Sequence, residues 1–229
     1  MKLSSLLRLL TEWPAGFWVE HGLELLAGRG ATVWPASNSS SLERAGNLLG
    51  LETNTAKVGV AGRSRCAVRA VLLLRTLRNT SYWTDSGLAV PGSDIDPFTP
   101  SELIIGRVLL RLALVRDMNS HPVWGVEGGE GEDIATQQLG SGLYTALASY
   151  FNSACNPNTV RLNLGREMVL VAARDIQQGE EITDNYCIHY SDLPAGERRQ
   201  WFRVRGFSLS RCKTQFSSHQ HMSTSYLKT

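Results

Sequence analysis

The residues best equipped for chemistry lie in two short stretches. The first is Asn152-Ser153-Ala154-Cys155-Asn156-Pro157-Asn158, and the second is Gly179-Glu180-Glu181-Ile182-Thr183-Asp184-Asn185-Tyr186. An asparagine side chain carries both a donor and an acceptor, so an Asn-rich loop can hold a polar ligand. The second stretch sets two adjacent carboxylates and a tyrosine hydroxyl behind a glycine turn. Either half alone is also what an ordinary hairpin with polar loops contains. The two together, in this order and at this separation, form the specific signal.

The elements that must position these residues can be read from pattern. Val160–Leu164 and Glu167–Ala173 read as strands, and Gly165-Arg166 between them reads as the turn of a hairpin. Thr99-Pro100-Ser101-Glu102 reads as a helix start with proline near the first position. Ile104, Ile105, Val108, Leu109, Leu112 and Val115 then recur at helical spacing through Asp117. Arg65–Arg78 gives a second helix with Ala67, Ala70, Val71, Leu74 and Leu77 as its core stripe. A shorter helix starts at Ser41-Leu42-Glu43-Arg44 and ends near Leu49-Gly50. Leu6, Leu7, Leu9 and Leu10 line a further short one, with turns expected at 14–16 and 28–30. Residues 84–100 read as a loop. Residues 124–142, with six glycines and the acidic Glu127, Glu130, Glu132 and Asp133, read as a flexible acidic surface insertion. A last helix is expected from Asp192-Leu193-Pro194, stopped at Gly206.

Composition bounds the class. The 229 residues, 42% apolar and 19% charged, fit one well-buried globular core with a small appendage. A net charge of +2 gives no reason to expect a nucleic-acid or membrane surface. No run reaches the ~18 apolar residues of a membrane helix, and Arg8 breaks the leucine run that a leader peptide would need. Cys66, Cys155, Cys187 and Cys212 form no CxxC pair and point to a reducing compartment, cytoplasmic and/or nuclear. The polar tail 216–229 is expected to be disordered, with His219 and His221 solvated.

The two opening stretches resemble the SET methyltransferase domain, and within it the SET and MYND domain-containing family. Asn152–Asn158 is similar to that family's N-H-S-C-x-P-N loop and Gly179–Tyr186 to its G-E-E-(I/L)-T-x-x-Tyr segment. A Glu197-Arg198-Arg199 helix and a reduced cysteine tail continue the likeness to residue 212. The resemblance implies an α+β fold: small β-sheets and hairpins, an inserted helical region and a C-terminal helix. It divides the chain into an unassigned segment 1–36, a partial SET domain 37–190, a helix and tail 191–215 and the disordered end. It implies transfer of a methyl group from S-adenosylmethionine to a protein lysine, histone or non-histone, by a monomer. Tyr186 takes the catalytic position. Asn119, Asn152 and Ser153 take cofactor-contacting positions, Ser153 where the family has histidine. The bland alternative for Asn119 is a helix stop, because asparagine tolerates a left-handed backbone.

The departures are as informative. Ser153-Ala154 replaces the family's His-Ser. Aligned on Glu197-Arg198-Arg199, the family's Cys-x-Cys-x-x-Cys falls on Ser210, Cys212 and Gln215, so Cys155 and Cys212 are all that remain of four zinc thiolates. Gly206 and Ser208 stand where aromatics wall the lysine channel, with Phe207 between them. No MYND finger is found, and no Gly-x-Gly segment at the start of the domain, as in a C-terminal part of such a protein. A second reading therefore stands beside the enzyme: an inactive or weak SET-like interaction module, or a truncated product. Structural zinc takes four ligands in a closed site. Elemental analysis of the purified chain should find no bound zinc, and one tightly held zinc per chain would overturn that.

Overall fold

The computed structural model describes residues 4–29, 39–89, 97–127, 135–144, 148–154, 156–164, 167–186, 196–197 and 200. Clustering of the chain separates two compact units, Met1–Tyr150 with Gly165–Met168 and Phe151–Leu164 with Val169–Thr229. The combination of helices with small sheets is the expected α+β class.

The first unit is helical in its framework: α1 (Ser4–Leu10), α2 (Ala15–Leu26), α3 (Ser41–Gly50), α4 (Val60–Leu77), α5 (Ser81–Thr84) and α6 (Pro100–Asn119). Helix α6 is central, packing against α1, α2, α3 and α4. Its spacing of apolar residues explains this, since Ile105, Val108, Leu109 and Leu112 are all fully buried. Helix α2 comes so close that a Cβ added to Gly22 would lie 3.0 Å from Ile104 Cγ2. Arg111 of α6 closes the end of α3, donating from Nε to the Leu49 carbonyl at 2.8 Å and from Nη2 to that of Leu51 at 3.0 Å. These are carbonyls that a helix terminus leaves without partners. Trp18, fully buried, donates its indole N–H to the Leu10 carbonyl at 3.0 Å.

The start of α6 carries a buried charge. Thr99 Oγ1 accepts from the Glu102 N–H at 3.2 Å and Glu102 Oε2 accepts from the Thr99 N–H at 2.8 Å, a reciprocal cap. The same carboxylate accepts through Oε1 from Nε of Arg78, just past the end of α4. Both side chains are almost fully enclosed, Arg78 at 2% and Glu102 at 0% exposure. Burial alone would push the Glu102 carboxyl up, but hydrogen bonds from Arg78 and Thr99 outweigh it and hold it below the usual range.

Three expectations need correction. Residues 124–127 and 135–142 are strand rather than flexible loop: β1 (His121–Glu127) pairs antiparallel with β2 (Ala135–Gly142), with a bulge between Val123 and Trp124. Pro122 and the glycines hide the alternation that marks a strand; residues 128–134 lie outside the described set. In α4 the buried stripe is Cys66, Ala70, Leu73, Leu74 and Leu77, and Val71 is 40% exposed. At the N-terminus the turn expected at 14–16 is the start of α2, with Pro14 as its N-cap. Helix α3, by contrast, starts and stops as expected, with a Ser40/Glu43 capping box.

Strand β3 (Asn152–Ser153) pairs with β6 (Thr183–Asp184) in the second unit, and β4 (Thr159–Leu164) pairs with β5 (Glu167–Ala172), which belongs to that unit from Val169 on. Strand β4 is inverted in character. Val160, Leu162 and Leu164 are exposed, whereas Thr159 is buried and Arg161 and Asn163 are partly buried. Of the expected last helix, residues 196, 197 and 200 are helical. Gly165-Arg166, Cys155, Cys187 and everything after Gln200, including Gly206, Phe207, Ser208, Ser210, Cys212 and Gln215, lie outside the described residues.

Removing one partner of a buried ion pair costs about 3–5 kcal/mol because it strands a charge. Arg78→Met should lose stability on that scale in urea denaturation, and adding Glu102→Gln should recover part of the loss. The carboxyl of Glu102 is depressed in the folded state, so its contribution is present above the ordinary glutamate range, about pH 4.3. That contribution should disappear as pH falls through the lower folded value. Glu102→Gln should flatten that acid limb.

Candidate functional site

The parallel pairing of β3 with β6 sets Asn152 opposite Thr183 and Ser153 opposite Asp184. The Ala154 N–H donates to the Asp184 carbonyl at 2.9 Å and extends the ladder. Tyr186 thereby arrives beside the Asn loop. Its N–H donates to Ser153 Oγ at 3.3 Å and its hydroxyl to the Phe151 carbonyl at 2.7 Å. Asn152 is exposed and donates from Nδ2 to Glu181 Oε1 at 2.6 Å. Asn152, Ser153 and Tyr186 are thus brought together.

Asn119 belongs to the first unit, on the last turn of α6. Its Nδ2 donates to the carbonyls of Glu52 and Val115, both at 2.8 Å. Both amide hydrogens are committed locally, so a cofactor contact through this side chain would have to use Oδ1.

What holds the second unit's cluster is Asn158, 1% exposed. Its Nδ2 donates to the Glu181 carbonyl at 2.9 Å and to Glu180 Oε1 at 3.1 Å, and its Oδ1 accepts from the Thr183 N–H at 2.8 Å. Thr159 adds a bond from Oγ1 to the Thr183 carbonyl at 2.8 Å. Gly179 allows the chain to turn here at φ +83°, a conformation open to glycine. Arg174 closes the exposed rim by pairing with Glu180. That pairing, helped by the Gln177 N–H and Asn158, holds the Glu180 carboxyl down at about 2.

Next to the tyrosine lies an ion pair, Arg161 Nη1 to Asp184 Oδ2 at 3.2 Å. Asp184 is 2% exposed. Burial pushes its carboxyl up, against the pull of Arg161 and the Asn185 N–H. Burial also raises the Tyr186 phenol, reinforced by Asp184 and opposed by Arg161. The tyrosine is therefore protonated at neutral pH and acts as a hydrogen-bond donor or a dipole.

Asn158 and Asp184 lie within the two stretches singled out in the sequence, but their buried bonding and the part of Arg161 are not visible in the pattern. The alternation of β4 was visible, but the sequence does not tell which alternate turns inward. Among the described residues no group of three or more His, Cys, Asp or Glu side chains could hold a metal. Among them, too, no helix is long and apolar enough to cross a membrane.

Two short segments joined in a parallel ladder, with an asparagine on one and a tyrosine just past the other, define the class. Residues 66–187 match the family model of the SET domain, more than half of the chain, and the chain belongs to the SET-domain family. The "Potential protein lysine methyltransferase SET6" of Saccharomyces cerevisiae is similar to part of it. The two are 39% identical over 77 residues, which cover 31% of this chain and 20% of that protein. The chain thus spans about a fifth of that relative's length.

Asn158→Ala removes both ends of a buried amide and leaves its backbone partners unpaired, at about 1–3 kcal/mol. Asn158→Asp keeps the acceptor for Thr183 but faces Glu180 with a second negative oxygen. It should be the more destabilised variant at neutral pH and should recover stability on acidification. Urea denaturation at two pH values would check both.

Proposed function

We propose that the chain is an S-adenosylmethionine-dependent protein-lysine N-methyltransferase of the SET and MYND type, its motifs most similar to the fourth member of that family. The observation that supports this most is the β3–β6 pairing, which sets the Tyr186 hydroxyl 2.7 Å from the Phe151 carbonyl and beside Asn152.

The residues fit such a cofactor in one testable respect. Asn152 is exposed and commits an amide hydrogen to Glu181, which orients its carbonyl oxygen as an acceptor for an ammonium group. Bound there, S-adenosylmethionine would supply a methyl group on a positively charged sulfur. The chain's own residues do the rest. A lysine amine, with an ordinary pKa near ~10.4, must lose its proton before it can attack, and an apolar channel favours the neutral form. The Phe151 carbonyl and the Tyr186 hydroxyl present fixed dipoles that can steer that amine. Ser153 secures the Tyr186 backbone. A protein lysine, of a histone or another protein, is the substrate class, and the absence of a CxxC pair among the four cysteines supports a cytoplasmic or nuclear location.

The second reading, a weak or inactive SET-like interaction module, draws on Ser153-Ala154 in place of His-Ser and on the loss of zinc thiolates. Calorimetry with S-adenosylmethionine separates the two. The enzyme reading expects binding, weakened by about 1–3 kcal/mol in Asn152→Ala. It also expects Tyr186→Phe to slow methyl transfer to a lysine-peptide array by about 10–1,000-fold, with stability and cofactor affinity little changed. A Tyr186→Phe variant as fast as the parent removes the tyrosine from the mechanism.

A further inference from the structure

We propose that Arg161 is a positioning residue for Tyr186, fixing the peptide plane that leads into the tyrosine. The inference rests on the reading of Tyr186 as the catalytic tyrosine. Arg161 stands on the inward alternate of β4, with its side chain 12% exposed. Its guanidinium reaches two consecutive residues. Nη1 lies 3.2 Å from Asp184 Oδ2, and Nη2 donates to the Asn185 carbonyl at 3.1 Å. Asp184 Oδ1 in turn accepts from the Asn185 N–H at 2.7 Å.

The peptide between Asn185 and Tyr186 is therefore held at both ends. Arg161 takes its oxygen, and Ser153 Oγ takes its N–H at 3.3 Å. A peptide unit is planar, so two anchors on opposite edges stop it pivoting and set the direction in which the tyrosine leaves the chain. With a single anchor the plane could swing about the remaining bond. A displacement of about 1 Å at a reacting group can cost on the order of 100-fold in rate.

Arginine suits this task and lysine does not. The planar fork presents donors to a carboxylate and a carbonyl at once, whereas an ammonium is a point charge on a flexible stem. The carboxylate of Asp184 neutralises the guanidinium in a site where an unpaired charge would be costly. The two charges also act on the Tyr186 phenol in opposite directions, so the ion pair touches the tyrosine electrostatically as well as through the backbone.

The test uses the full chain labelled with ring-¹³C tyrosine, with the Tyr186 signal assigned by its loss in Tyr186→Phe. Arg161→Lys keeps a charge beside Asp184 but loses the fork. The double variant Arg161→Met with Asp184→Asn removes the pair without stranding a charge. Both should bind S-adenosylmethionine within about twofold of the parent while kcat falls by about 10–100-fold. The Tyr186 signal should move or broaden in both. An unmoved signal together with the parent's kcat overturns the proposal. If the parent transfers no methyl group, the enzyme reading fails and the signal alone decides: movement upholds the positioning role and its absence overturns it. If Arg161→Lys does not fold, the double variant decides by the same criteria.

Discussion

The carboxamide of Asn158, 1% exposed, answers a carbonyl and an N–H of the 181–183 segment at the same time. An amide side chain carries the same donor and acceptor as a peptide group. It therefore acts as an added rung for a parallel ladder that is only two residues long on each strand. Pairing so short is marginal by itself, and this rung joins the Ala154 N–H, Thr159 and Arg161 in holding the β6 segment. Asn158 thereby fixes the segment 180–183 that pairs with Asn152 and Ser153 and leads to Tyr186.

The first unit solves a different problem with similar means. Helix α6 begins with a carboxylate that both caps its own N-terminus and pairs with Arg78. Phe98 lies under that guanidinium at 5.6 Å and under Arg75 at 5.3 Å, covering the pair with an aromatic face. A buried ion pair adds little net stability compared with apolar packing, but it is intolerant of the wrong partner. Here it ties the start of α6 to the end of α4, two helices already packed against each other.

Much of this was legible in the amino-acid order, for reasons that differ by element. Helices α3 and α6 announce themselves because a capping box and an apolar period are local properties. The meeting of the Asn152 and Tyr186 segments was legible because together they form a long and distinctive pattern. Strands β1 and β2 were not, since proline and glycine conceal the alternation. Val71 was misplaced because Val68, Val71 and Leu72 are as apolar as the buried stripe, and only the packing of α4 decides between two faces. Arg78 with Glu102, and Arg161 with Asp184, were invisible for a further reason. An ion pair's partner is chosen by the fold, and nothing near either residue names the other.

Strand β4 turns Thr159, Arg161 and Asn163 inward and leaves Val160, Leu162 and Leu164 in water. Strand periodicity is two, so a slip by one residue would exchange the two sets. Burying three aliphatic side chains is favoured by about 1.5–3 kcal/mol each, so the hydrophobic effect pulls towards the wrong register. What resists it is polar and distant: Thr159 bonded to Thr183, and Arg161 to Asp184 and Asn185. On the ribosome β4 and β5 emerge before those partners do. The register of β4 is thus set by polar partners that lie 24 residues further along the chain.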